Sequence, residues 1–340
     1  MQNGNGRHPG HDCRGANILV AGAGGFIGGA LVAALREAGA RRIRAVDWKP
    51  LEEWYQRFDD VENLRLDLRE LDACRTAARG MSEIYNLACD MGGMGFIEAH
   101  KAECMLNVLI STHLLVAARD AGSQRLFYSS SACVYAAEKQ KDSEVQPLRE
   151  PDAYPAEPED GYGWEKLFSE RLYLAFNRNH GMQNRVARYH NIFGPEGTWE
   201  GGKEKAPAAI CRKVAETKNG GTIEMWGDGL QTRSFLYIDE CVEGSFRLAR
   251  SAHEGPFNIG SEEMVTINQL ASMVMDIAGK KLEIEHIPGP LGVRGRNSDN
   301  RLIKSTLGWA PSQPLMAGLE KTYAWIEAQV ARKRGANVKR

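Results

Sequence analysis

The feature that most restricts this 340-residue chain is an alternation running from Asn17 to Ala132. Short β-branched runs at 17–21, 42–47, 63–67, 83–88 and 125–130 are separated by amphipathic stretches, of which 27–38, 71–78 and 99–121 read as helices. Strand-length runs that alternate with helix-period segments form βαβ units around a parallel sheet. The pattern continues with a helix predicted over 162–179 and a sixth strand over 184–192. The fold class is therefore α/β, a doubly wound parallel sheet of Rossmann type.

After Gly194-Pro195 the pattern breaks into a Gly-, Pro- and Lys-rich loop at 197–207, a helix near 208–216 and a strand near 221–226. This predicts a smaller C-terminal lobe. Segment 233–239 reads as a return to the first lobe, and 266–279 and 318–330 as further helices. The expected division is a dinucleotide-binding domain at 17–193, rejoined by 233–262, and a substrate-binding lobe from 194–232 and 263–330. Residues 1–16 read as a disordered tail and 331–340 as a basic tail.

The 43 Lys and Arg nearly balance the 44 Asp and Glu, for a formal charge of −1. That balance argues against nucleic acid or an anionic membrane as partner. The seven cysteines (13, 74, 89, 104, 133, 211 and 241) are odd in number and form no C-x-x-C pair, which argues against a disulfide framework and against a zinc site. No metal is expected. No uninterrupted apolar run approaches the roughly 20 residues that span a bilayer, and a cytoplasmic protein is expected.

Gly22, Gly25 and Gly28 follow the first strand and open the first helix. There, backbone N–H groups and the positive end of a helix dipole can meet a pyrophosphate. Asp47 stands 19 residues beyond Gly28 at the end of the second strand, where a carboxylate accepts hydrogen bonds from an adenosine ribose and repels a 2′-phosphate. This favours NAD over NADP, although Arg44 and Lys49 nearby pull the other way. Asp67, after the third strand, is expected beside the adenine.

Tyr162 and Lys166 lie four residues apart, on one face of the predicted helix. A phenol titrating near pH 10 is a poor base at neutral pH, but an adjacent ammonium and a nicotinamide cation both favour the phenolate. Ser131 lies just past the predicted fifth strand, where a doubly wound sheet presents side chains to its ligand. Cys133 is two residues further on, and strand alternation would turn both side chains to one crevice.

Together with Arg188-Tyr-His-Asn191-Ile-Phe-Gly-Pro195, the glycine turn and the Ser131/Tyr162/Lys166 set resemble the extended short-chain dehydrogenase/reductase family of nucleotide-sugar epimerases, dehydratases and decarboxylases. Five segments resemble in particular its GDP-mannose 3,5-epimerase branch: 90–96, 130–135, 201–209, 225–234 and 292–300. The resemblance covers most of the chain from Asn17 to about Ala328.

It implies an isomerase that binds NAD and epimerises GDP-D-mannose or a related GDP-sugar at C3 and/or C5, giving GDP-L-galactose and/or GDP-L-gulose. C4 is oxidised transiently, with Tyr162, Lys166 and Ser131 handling that redox step. Cys133 and Lys205 match the family's acid/base pair. A C4 ketone acidifies the hydrogens at C3 and C5, so an acid/base pair beside it could invert either centre.

By the same resemblance, the cofactor meets Gly22, Gly25, Phe26, Ile27 and Gly28 on the turn, Asp47, Asp67 and Leu68 around the adenosine, and Leu87, Ala88, Met91 and Asn107 beyond it. The substrate meets Gly92, Ser131, Ala132, Cys133 and Asn191, then Glu204, Lys205 and Ala206, then Gln231, Thr232 and Arg233. Arg294 and Arg296 are both candidates for the diphosphate, since guanidinium forks suit phosphate oxygens. A homodimer through a four-helix bundle is also implied.

A 4,6-dehydratase would resemble a Thr-Asp-Glu set where this chain has Ser131-Ala-Cys133, and a simple 4-epimerase or a decarboxylase needs neither Cys133 nor Lys205. A non-catalytic NAD sensor would commonly lack Tyr162 or Lys166.

Overall fold

The computed structural model describes residues 13–290 and 292–338. The first lobe is built from β1 (Asn17–Ala21), α1 (Phe26–Glu37), β2 (Arg42–Asp47), β3 (Glu62–Arg65), α2 (Leu71–Ala78) and β4 (Glu83–Asn86). It continues through α3 (Met94–Ala99), α4 (Lys101–Met105), α5 (Asn107–Asp120), β5 (Arg125–Ser131), α6 (Gly161–His180), β6 (Gln183–Tyr189) and β7 (Ile192–Phe193). Beyond these come α7 (Ala206–Glu216), β8 (Thr222–Trp226), β9 (Thr232–Ser234), β10 (Leu236–Tyr237), α8 (Ile238–Arg250) and β11 (Phe257–Ile259). The chain ends with β12 (Met264–Thr266), α9 (Ile267–Ala278), β13 (Glu283–Ile287), β14 (Gly295–Arg296), α10 (Arg301–Leu307) and α11 (Leu315–Val338).

Seven strands form one parallel sheet in the order β11-β6-β5-β4-β1-β2-β3. The order reverses between β1 and β4, and the crevice outside the carboxyl ends of these strands is where an open α/β sheet binds its ligand. Successive side chains on a strand point to opposite faces, and β1 shows the result. Ile18 and Val20 join the core under α1 and α8, with Leu31, Leu35 and Phe246. Leu19 and Ala21 join the opposite core under α2, α5 and α6, with Leu114, Leu115 and Tyr173.

The chain returns to this sheet after its excursion, since β11 pairs with β6, and β10 pairs with β7 in a separate two-stranded sheet. The smaller lobe carries a three-stranded sheet, β12-β9-β14, and the pair β13-β8.

Several elements differ from expectation. The helix expected over 99–121 is three helices, α3, α4 and α5, joined at His100 and Leu106. By length and composition 101–120 could cross a membrane, although Lys101, Glu103, Arg119 and Asp120 keep it from being an uninterrupted apolar run. Here it packs against α2 and α6. The sixth strand does not run through to residue 192. Asn191 takes a left-handed conformation (φ 44) that breaks it into β6 and β7.

At the amino end, Cys13 is buried, and its N–H donates to Ala38 O, so 13–16 is not loose chain. The rest of the expected tail, 1–12, lies outside the described residues. The expected basic tail is helical as far as Val338 within α11, and residues 339–340 lie outside the described residues.

Candidate active site

Two adjoining cavities open at the reversal of strand order. The first is formed around the glycine turn. Gly22 sits at φ +85, where a Cβ would lie 2.8 Å from the backbone of Leu87 and Ala88. A Cβ on Gly28 would lie 2.1 Å from Gly22 O, so only glycine lets α1 start this close to β1. Gly25 caps α1 without a side-chain hydrogen bond, which leaves the first N–H groups of the helix to a ligand. Gly22, Gly25, Phe26, Ile27 and Gly28 line this cavity, with Leu87, Met91, Tyr162 and Lys166 on its far side.

The adenosine end is less uniform. Asp47 is buried at the end of β2, where it accepts the Lys49 N–H at 3.1 Å. Burial pushes its carboxyl up, and the Lys49 amide and ammonium oppose that push. Arg44, read as pulling toward NADP, is turned away to donate to Thr76 O, Ala77 O and Arg79 O. That counter-argument falls, while Lys49 stays over the turn on Gly24 O.

Asp67 is held in a fork by Arg69, whose hydrogen bonds lower its carboxyl pKa, and Leu68 is buried. Asp47, Asp67, Leu68, Ala88 and Asn107 are not among the residues lining the cavity. Asn107 spends its side chain on Asp90 N–H, Asp90 O and Cys104 O, which makes it a brace behind the cavity wall.

Tyr162 and Lys166 come from the first turns of α6, which Asp160 caps by accepting Gly163 N–H at 3.2 Å. A Cβ on Gly163 would meet Cys133 O at 2.2 Å, so this glycine seats Tyr162 close against the turn that carries Cys133. Lys166 Nζ donates to Ser129 O at 3.2 Å and lies 5.7 Å from the centroid of the Tyr162 ring. Burial pushes the Tyr162 phenol up, and the Lys166 ammonium pulls the other way. Cys89, whose thiol burial pushes up to about 12, packs with Tyr162 and Cys133.

Ser131 ends β5, and Cys133 lies in a 3₁₀ turn, Ala132–Val134, rather than on the strand. Strand alternation is thus not what aligns the two. Ser131 Oγ accepts the Cys133 N–H at 3.2 Å, and this cap directs both into the second cavity. Gly92, Ala132, Asn191, Glu204, Lys205, Ala206, Gln231, Arg233 and Arg296 also line it. Ser131, Asn191 and Lys205 belong to both cavities and form the wall between them. Burial lowers the pKa of Lys205, which sits at the start of α7.

The two arginine candidates separate. Arg296 faces the cavity, with Nη1 3.5 Å from Cys133 Sγ and Nε 2.6 Å from Gln140 Oε1. Arg294 forks onto Asp228 at 2.8 Å, and neither it nor Thr232 is among the residues lining the cavity. Thr232 hydrogen-bonds Ser143 O, tying β9 down.

Glu159 and Lys213 also line the second cavity and were not singled out from the sequence. Lys213 was detectable, since it follows Lys205 and Ala209 at helical spacing on one face of α7. Glu159 had no such signal.

The family model described as "NAD dependent epimerase/dehydratase family" matches residues 18–260, which include the glycine turn, Tyr162, Lys166, Cys133 and Lys205. The chain belongs to this family. It is 50% identical to GDP-mannose 3,5-epimerase of Arabidopsis thaliana over 318 residues, 93% of this chain and 84% of the relative. The corresponding figures for GDP-mannose 3,5-epimerase 1 of rice (Oryza sativa subsp. japonica) are 50%, 94% and 84%. In fold it is similar to UDP-glucose 4-epimerase of Thermotoga maritima, with a TM-score of 0.82 and 24% identity over 92% of this chain and 99% of that one.

The chain is thus an isomerase, an NAD-dependent epimerase of the GDP-mannose 3,5-epimerase type. NAD fits the first cavity by the chemistry of its walls. The side-chain-free Gly22 and Gly28 allow close approach and α1 offers its free N–H groups, while Asp47 stands outside the cavity lining at the end of β2. When bound there, NAD supplies the acceptor and donor for a hydride.

Proposed function

We propose that this epimerase acts on GDP-D-mannose, inverting C5 and C3 by way of a transient C4 ketone to give GDP-L-gulose and GDP-L-galactose. The observation that carries the reading is the joint wall. Cys133 and Lys205 share one cavity, and Lys205 and Ser131 also border the cavity of Tyr162 and the glycine turn.

Tyr162, with Lys166 behind it, removes the C4 hydroxyl proton and later returns it, while Ser131 holds the same oxygen. Cys133 then takes the proton from carbon beside the ketone, and the Lys205 ammonium delivers one to the opposite face, which inverts the centre. Arg296 and Arg233 hold the diphosphate, so that the sugar reaches the joint wall in a fixed pose.

The identity with the plant GDP-mannose 3,5-epimerases supports this over a dehydratase or a decarboxylase. The test is to incubate the NAD-loaded protein with GDP-mannose and identify the GDP-hexoses by NMR. Appearance of the gulose and galactose forms supports the reading, and recovery of GDP-mannose alone overturns it. A non-catalytic sensor would give no transient absorbance at 340 nm with any nucleotide sugar.

The same reading extends to assembly. Met105, Leu106 and Leu109 on one side, and Trp164 and Phe168 on α6, are large apolar side chains left exposed. A second copy would cover them in a two-fold, four-helix bundle. A solution mass of two chains supports this, and a monomer at micromolar concentration contradicts it.

A further inference from the structure

Glu159 precedes the cap of α6 and lines the substrate cavity beside Cys133, Arg233 and Arg296. Its Oε2 lies 3.4 Å from Arg296 Nη2, and its side chain keeps 21% of its exposure. Glu204, another acid of the cavity, is engaged with Arg212 and with the Gly202 N–H. Glu159 therefore occupies the guanidinium edge that an incoming diphosphate would need.

Burial is the largest influence on Glu159 and raises its pKa. Arg296 on β14 and Arg233 on β9 favour its ionised form, whereas Asp160 next to it and Glu98 on α3 oppose it. A diphosphate arriving on the same arginines adds negative charge next to a carboxylate that is already largely desolvated. Like charges sharing a site push the weaker acid toward its protonated form.

We propose that Glu159 is the counter-ion that the nucleotide diphosphate displaces from Arg296, and that Glu159 takes up a proton from solvent as it is displaced. The inference rests on the proposed GDP-sugar substrate. Glu159 holds Arg296 toward the cavity until the diphosphate arrives. On binding, the Arg296 N–H groups shift from carboxylate to phosphate oxygens, and the neutral carboxyl no longer repels them. Affinity then falls as pH rises, because each binding event draws a proton that becomes scarcer.

Calorimetric titration of the NAD-loaded protein with GDP-mannose, in buffers of equal pH and different ionisation enthalpy, reads the uptake directly. The diphosphate diester carries no titrating proton between about pH 5 and about pH 8, and isomerisation consumes none. The expected result is uptake of part of a proton by the wild type and by Glu159→Asp. Glu159→Gln should show none and should bind about tenfold more tightly at about pH 8, equivalent to one pKa unit of repulsion removed. Equal uptake in Glu159→Gln, or binding by the wild type without uptake, overturns the counter-ion while leaving the GDP-sugar reading intact. Failure of GDP-mannose to bind overturns both.

Discussion

Arg296 Nη1 lies 3.5 Å from the sulfur of Cys133, with the guanidinium further held by Gln140 and Glu159. One arginine thus reaches from Cys133 to Glu159 along the cavity, while Arg294, two residues away, is spent on Asp228. Replacing Arg296 by Ala should raise KM for the GDP-sugar by about 10- to 100-fold, the loss of a charge-assisted hydrogen bond of about 1.5–3 kcal/mol. Arg294→Ala should change KM by less than about threefold, as expected for a surface pair. Steady-state kinetics on the two variants checks the assignment, and equal effects would contradict it.

Lys205 has a pKa lowered by burial. As the proposed acid it works only while protonated, so activity should fall on the alkaline side at a pH below the roughly 10.4 of a free lysine. A pH–rate profile of kcat in wild type and Lys205→Arg measures this. The arginine variant should lose that alkaline limb along with most of its rate, and a limb that persists unchanged would assign the titration to another group.

Much of this site could be read from the sequence, and what could be read was local. Gly22, Gly25 and Gly28 are punctuation at fixed spacing, Tyr162 and Lys166 are one helical turn apart, and the strand runs announce themselves by β-branching. What escaped depends on contacts far along the chain. Nothing near Arg44 in sequence indicates that carbonyls 32 to 35 residues later will claim it. The choice between Arg294 and Arg296 turns on Asp228 and Gln140, each more than 60 residues away. The break at Asn191 likewise goes with a distant contact, its side chain donating to Ser234 O.

His190 shows how such distant contacts bear on stability. It is fully buried against Asn258, and burial depresses its pKa to about 3. An unfolded histidine titrates near 6.5. Between those two values the unfolded chain binds a proton that the folded one refuses, so this contribution is intact above pH 6.5 and is lost as pH falls toward 3. The slope is about 1.4 kcal/mol per pH unit. Urea unfolding at several pH values should show a shallower acid dependence for His190→Gln than for wild type, and parallel curves would contradict the assignment.

Glu170 and Arg188 form a buried, bidentate pair at 2.7 and 2.9 Å, and Glu170 also accepts from Ser130 next to Ser131. Removing one partner leaves an uncompensated charge between β5 and α6. Glu170→Ala should therefore cost about 3–5 kcal/mol of stability, measured by denaturant unfolding. A loss below about 1 kcal/mol, the scale of an exposed pair, would show that the pair is not desolvated in solution.

The central claim is that Cys133 moves the carbon-bound proton while Tyr162 serves only the C4 oxygen. The most direct measurement is NMR of GDP-mannose incubated with the NAD-loaded protein in D₂O. Wild type should incorporate deuterium at C5 and at C3. Cys133→Ala should incorporate none at either carbon while still giving absorbance at 340 nm from C4 oxidation. Deuterium entering C5 at the wild-type rate in Cys133→Ala would contradict the account.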